Sequence, residues 1–345
     1  MNTLQAGKHK VVVTQRFFDA ETIDYLAANG CEAVLADLPP GQGDGDLPLE
    51  TMVRLLQGAS GWIVGHAWVT RELLAALPDL QVVSRRGVGY ERIDLDAVRD
   101  LGRVATIAAG ANDATVADLT IGLMIAVARR FRECQAGLEA GSWAIPLGTD
   151  LYRKTVGVVG LGRIGRGVVR RLKGFEARVL AYDEVCDKVL AAEGAVEYVD
   201  LAAIFAHSDY LTIHAPLTPT TRFLAREETI RHMKPTSFLI NAARGGLVED
   251  RDLLAALKEK RLAGAGLDVF VSESDPSYLE VTRELISLPN VVATPHVGAS
   301  TTDGLGRTNR VAAECVVAVL GGDTPPASCV VADGRQSAVA HENAS

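Results

Sequence analysis

At 345 residues the chain is longer than one average domain and suits two, and 48% hydrophobic with 23% charged residues is the balance of an α/β protein with substantial cores. A formal net charge of -8 argues against nucleic acid or an anionic membrane as the main partner. The five cysteines (Cys31, Cys134, Cys186, Cys315 and Cys329) are scattered, with no C-x-x-C pair, which excludes a disulfide frame or zinc site and suits reduced thiols in a cytosol.

The polar N-terminus leads straight into an apolar run, so no signal peptide is expected and the location is read as cytoplasmic. The run is Lys10 to Thr14, a buried-type strand; helical spacing follows from Asp19 to Asn29, then a second strand at Cys31 to Leu35. Pro39 to Asp46 is a loop. Leu49 to Leu56 reads as a helix, Gly61 to Val64 as a strand, Thr70 to Leu77 as a helix and Leu80 to Ser84 as a strand. This alternation predicts a parallel sheet covered on both faces. A long helix at Asn112 to Arg130 joins this first lobe to the next; its core, Leu119 to Ala128, falls short of the roughly 18 residues a membrane span needs. The basic run Arg129, Arg130 and Arg132 reads as a solvated helix face.

The stretch Thr155 to Asp183 organises the second lobe. Val156 to Val159 run into Gly160, Gly162 and Gly165 in the spacing G-x-G-x-x-G, followed by a helix and a second strand, Arg178 to Tyr182. In a dinucleotide fold the first glycine permits the turn, the second lets backbone approach a pyrophosphate and the third permits close helix–strand packing. Asp183 ends the second strand, about 20 residues past the glycines, where such folds hydrogen-bond a ribose. Strands then recur at Ser208 to His214, Leu239 to Asn241, Gly264 to Val269 and Asn290 to Thr294, with helices at Arg251 to Lys260 and Thr308 to Leu320. After Val331 the sequence is polar and is read as a disordered tail.

Ligands of open α/β sheets bind beyond the carboxyl ends of the strands. There the chain places His214-Ala215-Pro216, then Asn241-Ala242-Ala243-Arg244, then Asp268-Val269-Phe270 with Glu273 close behind, then Pro295-His296-Val297-Gly298-Ala299. An arginine, an acid and a histidine are the set needed to oxidise a 2-hydroxy acid or reduce its keto acid. Arginine orients a carboxylate through a planar fork that lysine lacks. Histidine takes and returns a proton near neutral pH, and a carboxylate beside it fixes its tautomer. His214 is a second candidate base on position alone.

At these residues the chain resembles the D-isomer-specific 2-hydroxyacid dehydrogenases, which include D-3-phosphoglycerate dehydrogenases and glyoxylate/hydroxypyruvate reductases. The matching blocks are GVGYERID (Gly87 to Asp94), VGVVGLGRIG (Val156 to Gly165), INAARGGLVEDRDLLAAL (Ile240 to Leu257), GAGLDVFVSE (Gly264 to Glu273) and TPHVGAST (Thr294 to Thr301). The resemblance implies an α/β fold of two doubly wound parallel-sheet domains, a Rossmann dinucleotide-binding domain at 108–300 inserted into a flavodoxin-like substrate domain at 1–107 and 301–330, with 331–345 as the tail. It implies Arg244, Glu273 and His296 as the catalytic set, without a metal. NAD is the implied cofactor, with Gly160, Gly162, Arg163, Ile164, Gly165, Asp183, Ala215, Ala242, Ala243, Asp268, His296 and Ala299 around it. Val88 and Gly89 would face the substrate with Arg244, and a homodimer would form through the long interlobe helix.

Departures from the family pattern are Glu91-Arg92 in place of Asp-Asn and Ser274 in place of proline. Gly65-His66-Ala67-Trp68 stands where phosphoglycerate-type members often carry an arginine, although Arg85 matches a second basic position. The expected reaction is therefore NAD-dependent interconversion of a small, unphosphorylated D-2-hydroxy acid and its keto acid. The alternatives are a D-3-phosphoglycerate-specific dehydrogenase and an NAD(H)-sensing, corepressor-like binding protein. A formate-type enzyme would pair the histidine with glutamine, which Glu273 opposes.

Overall fold

The computed structural model describes residues 9–335. In chain order it contains β1 (His9–Val13), α1 (Ala20–Ala28), β2 (Cys31–Leu35), α2 (Leu49–Leu56), β3 (Gly61–Val64), α3 (Arg71–Ala75), β4 (Val82–Arg85), α4 (Leu95–Asp100) and β5 (Val104–Ile107). Next come α5 (Asp113–Ala128), α6 (Phe131–Glu139), β6 (Thr155–Val159), α7 (Arg163–Leu172), β7 (Arg178–Tyr182), α8 (Lys188–Ala192), β8 (Glu197–Tyr198), α9 (Leu201–His207) and β9 (Tyr210–Ile213). The remainder is α10 (Glu227–Ile230), β10 (Phe238–Asn241), α11 (Asp250–Lys258), β11 (Gly264–Leu267), α12 (Leu279–Ser287), β12 (Val291–Ala293), α13 (Thr302–Leu320) and β13 (Val330–Asp333).

The chain divides into two compact units, one of Met1–Asn112 with Ala299–Ser345 and one of Asp113–Gly298. The first boundary lies five residues past the 107/108 division read from sequence. The reason is local: the Ala108 amide donates to the carbonyls of Arg85 and Gly87, which ties the segment after β5 to its own sheet until α5 begins.

The sheet of unit 1 has the order β13-β5-β4-β3-β1-β2. Its strands β1 to β5 are parallel in the flavodoxin-like arrangement. One sheet face packs Met52, Trp62 and Leu73, and the other packs Leu26, Ile63 and Val316. The expected disordered tail is corrected at its start. Val330–Asp333 forms a strand antiparallel to β5, with Ala332 buried in the core and Asp333 paired to Arg335. It covers what would otherwise be an exposed sheet edge. Residues 336–345 of that expected tail lie outside the described residues.

In unit 2 the order is β12-β11-β10-β9-β6-β7-β8, all parallel. The order reverses between β6 and β9, as in dinucleotide-binding sheets. Nearly every residue of the central strands is buried, which explains why their sequences are continuous apolar runs. Helix α5 stops two residues before the expected end because Arg130 takes a left-handed φ of 56°. The basic run is also more than a solvated face: Arg130 pairs with Glu133, and Arg132 donates to the carbonyls of Ile286, Leu288 and Val291.

Candidate active site

The glycine turn follows β6. Gly160 takes a φ of 90°, and a Cβ there would lie 2.7 Å from the Ala215 amide nitrogen. At Gly165 a Cβ would lie 2.0 Å from the Gly160 oxygen, so α7 rests directly on the turn. Gly162 differs. A Cβ there meets nothing within 4 Å, so no contact inside the protein demands a glycine and the space before it is open to a ligand. Gly162 also opens α7 without a side-chain cap, which leaves the amides of Arg163 and Ile164 at the positive end of the helix dipole. Asp183 accepts from the Leu161 amide at 2.6 Å and the Val185 amide at 3.0 Å, which clamps its carboxylate beside the turn. These residues fit a dinucleotide.

On the other side of β6, Arg244 lies in the turn after β10. The Asn241 side chain holds that turn by donating to the Arg244 carbonyl at 2.8 Å and accepting from the Ala243 amide at 3.1 Å. Gly245 then packs so closely that a Cβ would lie 2.2 Å from the Phe270 oxygen, which brings this turn against the short 3-10 turn Val271–Glu273. Glu273 Oε1 accepts from the Phe270 amide at 2.8 Å, and Oε2 lies 2.6 Å from His296 Nδ1. Burial pushes the Glu273 carboxyl up, but the hydrogen bond and charge of His296, the Phe270 amide and the charge of Arg244 outweigh it and hold Glu273 below the usual carboxylate range. A cavity of about 880 Å³ borders Glu273 and His296, walled by Phe131, Phe270 and Ile286.

His296 takes a left-handed φ of 54°, uncommon for a side chain of its size. Its amide donates to the Asp268 carbonyl at 2.8 Å. The Asp268 carboxylate accepts from Thr294 Oγ1 and from the amides of Val297 and Gly298 at 2.8 and 2.9 Å. Asp268 is thus buried and spends its carboxylate on building the turn that carries His296. Ala242 is likewise a core residue, whereas Ala215 and Ala243 are half-buried at their strand ends. The rival histidine does not suit acid/base work: His214 Nδ1 is sealed and unpartnered, Nε2 is 3.0 Å from Thr212 Oγ1, and burial pushes the imidazole down to about 4. Val88, Gly89 and Ala299 belong to unit 1, in the loop after β4 and in the approach to α13.

The family model of the D-isomer specific 2-hydroxyacid dehydrogenase NAD binding domain matches residues 121–298. The chain belongs to this family. It is 39% identical over 258 residues to a D-3-phosphoglycerate dehydrogenase of Methanocaldococcus jannaschii, covering 74% of this chain and 48% of that protein. With a glyoxylate reductase of Korarchaeum cryptofilum it shares 38% identity over 264 residues, 75% of this chain and 78% of that one. Thus the match spans about half the length of the first relative and most of the second. Among solved structures, the D-lactate dehydrogenase of Escherichia coli superposes with a TM-score of 0.81 at 27% identity, covering 92% of this chain and 98% of the other. As a D-2-hydroxyacid dehydrogenase, the protein is an NAD-dependent oxidoreductase acting on a CH–OH group.

One residue of this dehydrogenase's site has no sequence signal. Asp250 opens α11, is 2% exposed, and accepts from the Val271 amide at 2.9 Å, inside the turn that carries Glu273. Burial, partly offset by that amide and reinforced by the charges of Glu249 and Glu273, pushes its carboxyl up to about 7. The folded state therefore keeps a proton that the unfolded chain releases near pH 4. This contribution to stability is fully present below pH 4 and is lost as pH rises through about 7. Asp250→Asn, which still accepts from Val271 but does not titrate, should flatten that loss by roughly 2–4 kcal/mol between pH 4 and 8. Urea unfolding at both pH values checks this; parallel losses in the two proteins would refute it.

Proposed function

We propose that the protein interconverts a small, unphosphorylated D-2-hydroxy acid and its 2-keto acid, with glyoxylate and hydroxypyruvate as the favoured keto acids. The observation that carries this reading is the 2.6 Å contact between His296 Nδ1 and Glu273 Oε2 beside the turn of Arg244. With Nδ1 held by Glu273, His296 exchanges a proton with the substrate oxygen through Nε2. Glu273 fixes the tautomer and the direction of the ring, which leaves Nε2 for the substrate oxygen. Arg244 holds the substrate carboxylate in a two-pronged contact. NAD supplies the hydride acceptor for oxidation and, reduced, the hydride donor for reduction.

In this reading the amides of Arg163 and Ile164 hold the pyrophosphate over Gly160, Gly162 and Gly165, Asp183 holds the ribose, and Ala215, Ala242, Ala243, Asp268 and Ala299 line the cofactor. Val88 and Gly89 face the substrate from unit 1, which serves as the substrate domain. The protein works in the cytoplasm as a homodimer. Helix α5 turns most of its side chains into its own core, so the dimer surface is better placed on the segment after it, where Phe131, Trp143, Ile145 and Leu147 are exposed. No helix among the described residues is long and apolar enough to cross a membrane.

A second reading, a dehydrogenase specific for D-3-phosphoglycerate, is favoured by the name of the Methanocaldococcus relative and by Arg85 at the end of β4. A panel of glyoxylate, hydroxypyruvate, pyruvate and phosphohydroxypyruvate, assayed for NADH and NADPH oxidation, separates them. The unphosphorylated acids should be preferred by at least about tenfold in kcat/KM, about 1.4 kcal/mol. NADH should be preferred over NADPH, because Asp183 and Glu184 repel a 2′-phosphate. Preference for the phosphorylated acid would establish the second reading, and no turnover with any would refute both.

A further inference from the structure

Unit 1 contains a cavity of about 590 Å³, lined by none of the catalytic, cofactor or substrate residues named above, although it takes in His66. That volume lies in the range of small-molecule pockets. It opens at the carboxyl ends of the strands: Gln15, Arg16 and Phe17 follow β1, His66 follows β3, and Arg86 follows β4. In the order β5-β4-β3-β1-β2 the chain reverses between β1 and β3. Such reversal points are where open α/β sheets take ligands.

The chemistry of the wall is cationic. Arg86 donates from Nη1 to the Arg16 carbonyl at 2.7 Å and to Asn309 Oδ1 at 3.3 Å, and from Nη2 to Gln15 Oε1 at 2.8 Å. A guanidinium has five N–H donors, so two remain, and the Nε donor is sealed from solvent without a partner. Burial pushes this guanidinium down to about 10, with the charge of Asp44 opposing the shift. The acids of the cavity do not pair with Arg86. Asp44 is spent on Thr14 Oγ1 at 2.9 Å and on the amides of Gly65 and His66 at 2.7 Å. Asp19 is spent on Thr22 at 2.8 Å and on Asn309 Nδ2 at 2.7 Å. Arg16 sits on the same wall, its Nη2 tied to the carbonyls of Leu38, Pro39 and Gln42. A partly buried cation of this kind is left uncompensated by the protein itself.

The rim adds an apolar surface. Phe17 is 79% exposed and holds a left-handed φ of 58°, a conformation that bulky side chains rarely adopt. The two side chains that hold this loop are ones that line the cavity: Arg86 binds the Arg16 carbonyl, and Asn309 Nδ2 donates to the Phe17 carbonyl at 3.1 Å. Leu38 and Leu305 continue the apolar wall. Backbone strain maintained beside a cavity is typical of ligand sites.

We propose that this cavity is a second ligand site, for a small monocarboxylate with an apolar body: the carboxylate at the Arg16 and Arg86 wall, the apolar body against Phe17, Leu38 and Leu305. The carboxylate meets the remaining Nη2 hydrogen of Arg86, and its negative charge offsets a guanidinium that no acid of the cavity pairs with.

Phenylacetate and inorganic phosphate, titrated calorimetrically into the full chain, test this. Because phenylacetate can also meet Arg244, the titration is repeated on three variants: Arg244→Ala, Arg86→Met, and Leu305→Trp, which fills the cavity and keeps both arginines. Phenylacetate binding should persist in Arg244→Ala and weaken by at least about tenfold in the other two, about 1.4 kcal/mol. Binding lost in Arg244→Ala and unchanged in Leu305→Trp would overturn the proposal, as would no binding by the wild type at about 10 mM, a Kd worth less than about 3 kcal/mol. Phosphate binding that Leu305→Trp abolishes, with none of phenylacetate, would overturn the ligand class. Since Arg86 and Leu305 have no part in the proposed reaction, failure here leaves the dehydrogenase reading standing.

Discussion

His296→Ala is expected to lower kcat for keto-acid reduction by about 10²- to 10⁴-fold, the usual contribution of a positioned general acid. NADH affinity, followed by quenching of protein fluorescence, should stay within about threefold, because that loss belongs to the proton transfer and not to cofactor binding. The backbone complicates the reading of a single variant. His296 holds a φ of 54°, and forcing a residue with a Cβ into that region costs on the order of 1–2 kcal/mol. His296→Asn answers this, since asparagine tolerates the left-handed region but cannot carry the proton. Both variants should fall together. If asparagine restored more than a tenth of the activity, the histidine would be acting through the turn that Asp268 builds, and a loss under about threefold in both would remove it from acid/base work. Glu273 sets the acid limit of activity against pH: its carboxyl is held below the ordinary range, so in the folded enzyme it stays ionised beside His296 until pH falls through that lowered value.

Sequence patterns located strands better than edges or depth. The bounds of β2, β3 and β7 are legible to the residue: β3 and the middle of β7 are buried apolar runs, while β2 is a part-exposed edge strand whose start is marked by Gly30. By contrast, β13 is three small or branched residues and an aspartate after a proline-rich stretch, and its partner β5 lies more than two hundred residues earlier. Nothing local announces it. Helix α6 is illegible in the sequence for a different reason: it buries none of its residues, so its apolar side chains show no core-facing stripe. At the rim, chain order places Arg244, Glu273 and His296 after successive strands, and the contact between Glu273 and His296 is consistent with that order. What pattern could not convey is burial. Asp268 and Asp250 look like any acids at strand and helix ends, and only the packing around them shows that one builds the histidine's turn and the other sits under the glutamate's. Arg86 is the same case, one arginine of a pair in sequence, separated from its neighbour by what encloses it.

Arg244→Lys tests the other half of the proposed chemistry. The substitution keeps the positive charge and a similar reach while exchanging the planar fork for a point charge. A charge-assisted hydrogen bond is worth roughly 1.5–3 kcal/mol, so losing one prong should raise KM for the keto acid roughly 10- to 100-fold. The Glu273 carboxylate, partly stabilised by the Arg244 charge, keeps that support because lysine is also cationic, so the pairing with His296 should survive. The expected signature is therefore a KM effect larger than the kcat effect, with NADH affinity unchanged in stopped-flow titration. A substrate already held by unit 1 would give a different split, with kcat falling and KM steady, because orientation and not capture would then depend on Arg244. The reverse pattern, weakened NADH binding with KM for the keto acid unaffected, would move Arg244 to the cofactor. Arg244→Gln completes the series by removing the charge while keeping a planar amide. If glutamine proved as active as lysine, the geometry of the fork would matter more than its charge. If lysine stood well above glutamine, the substrate carboxylate would be held chiefly by the point charge, and the arginine's planarity would serve mainly to order its own turn through the 2.7 Å bond to the Ala243 carbonyl.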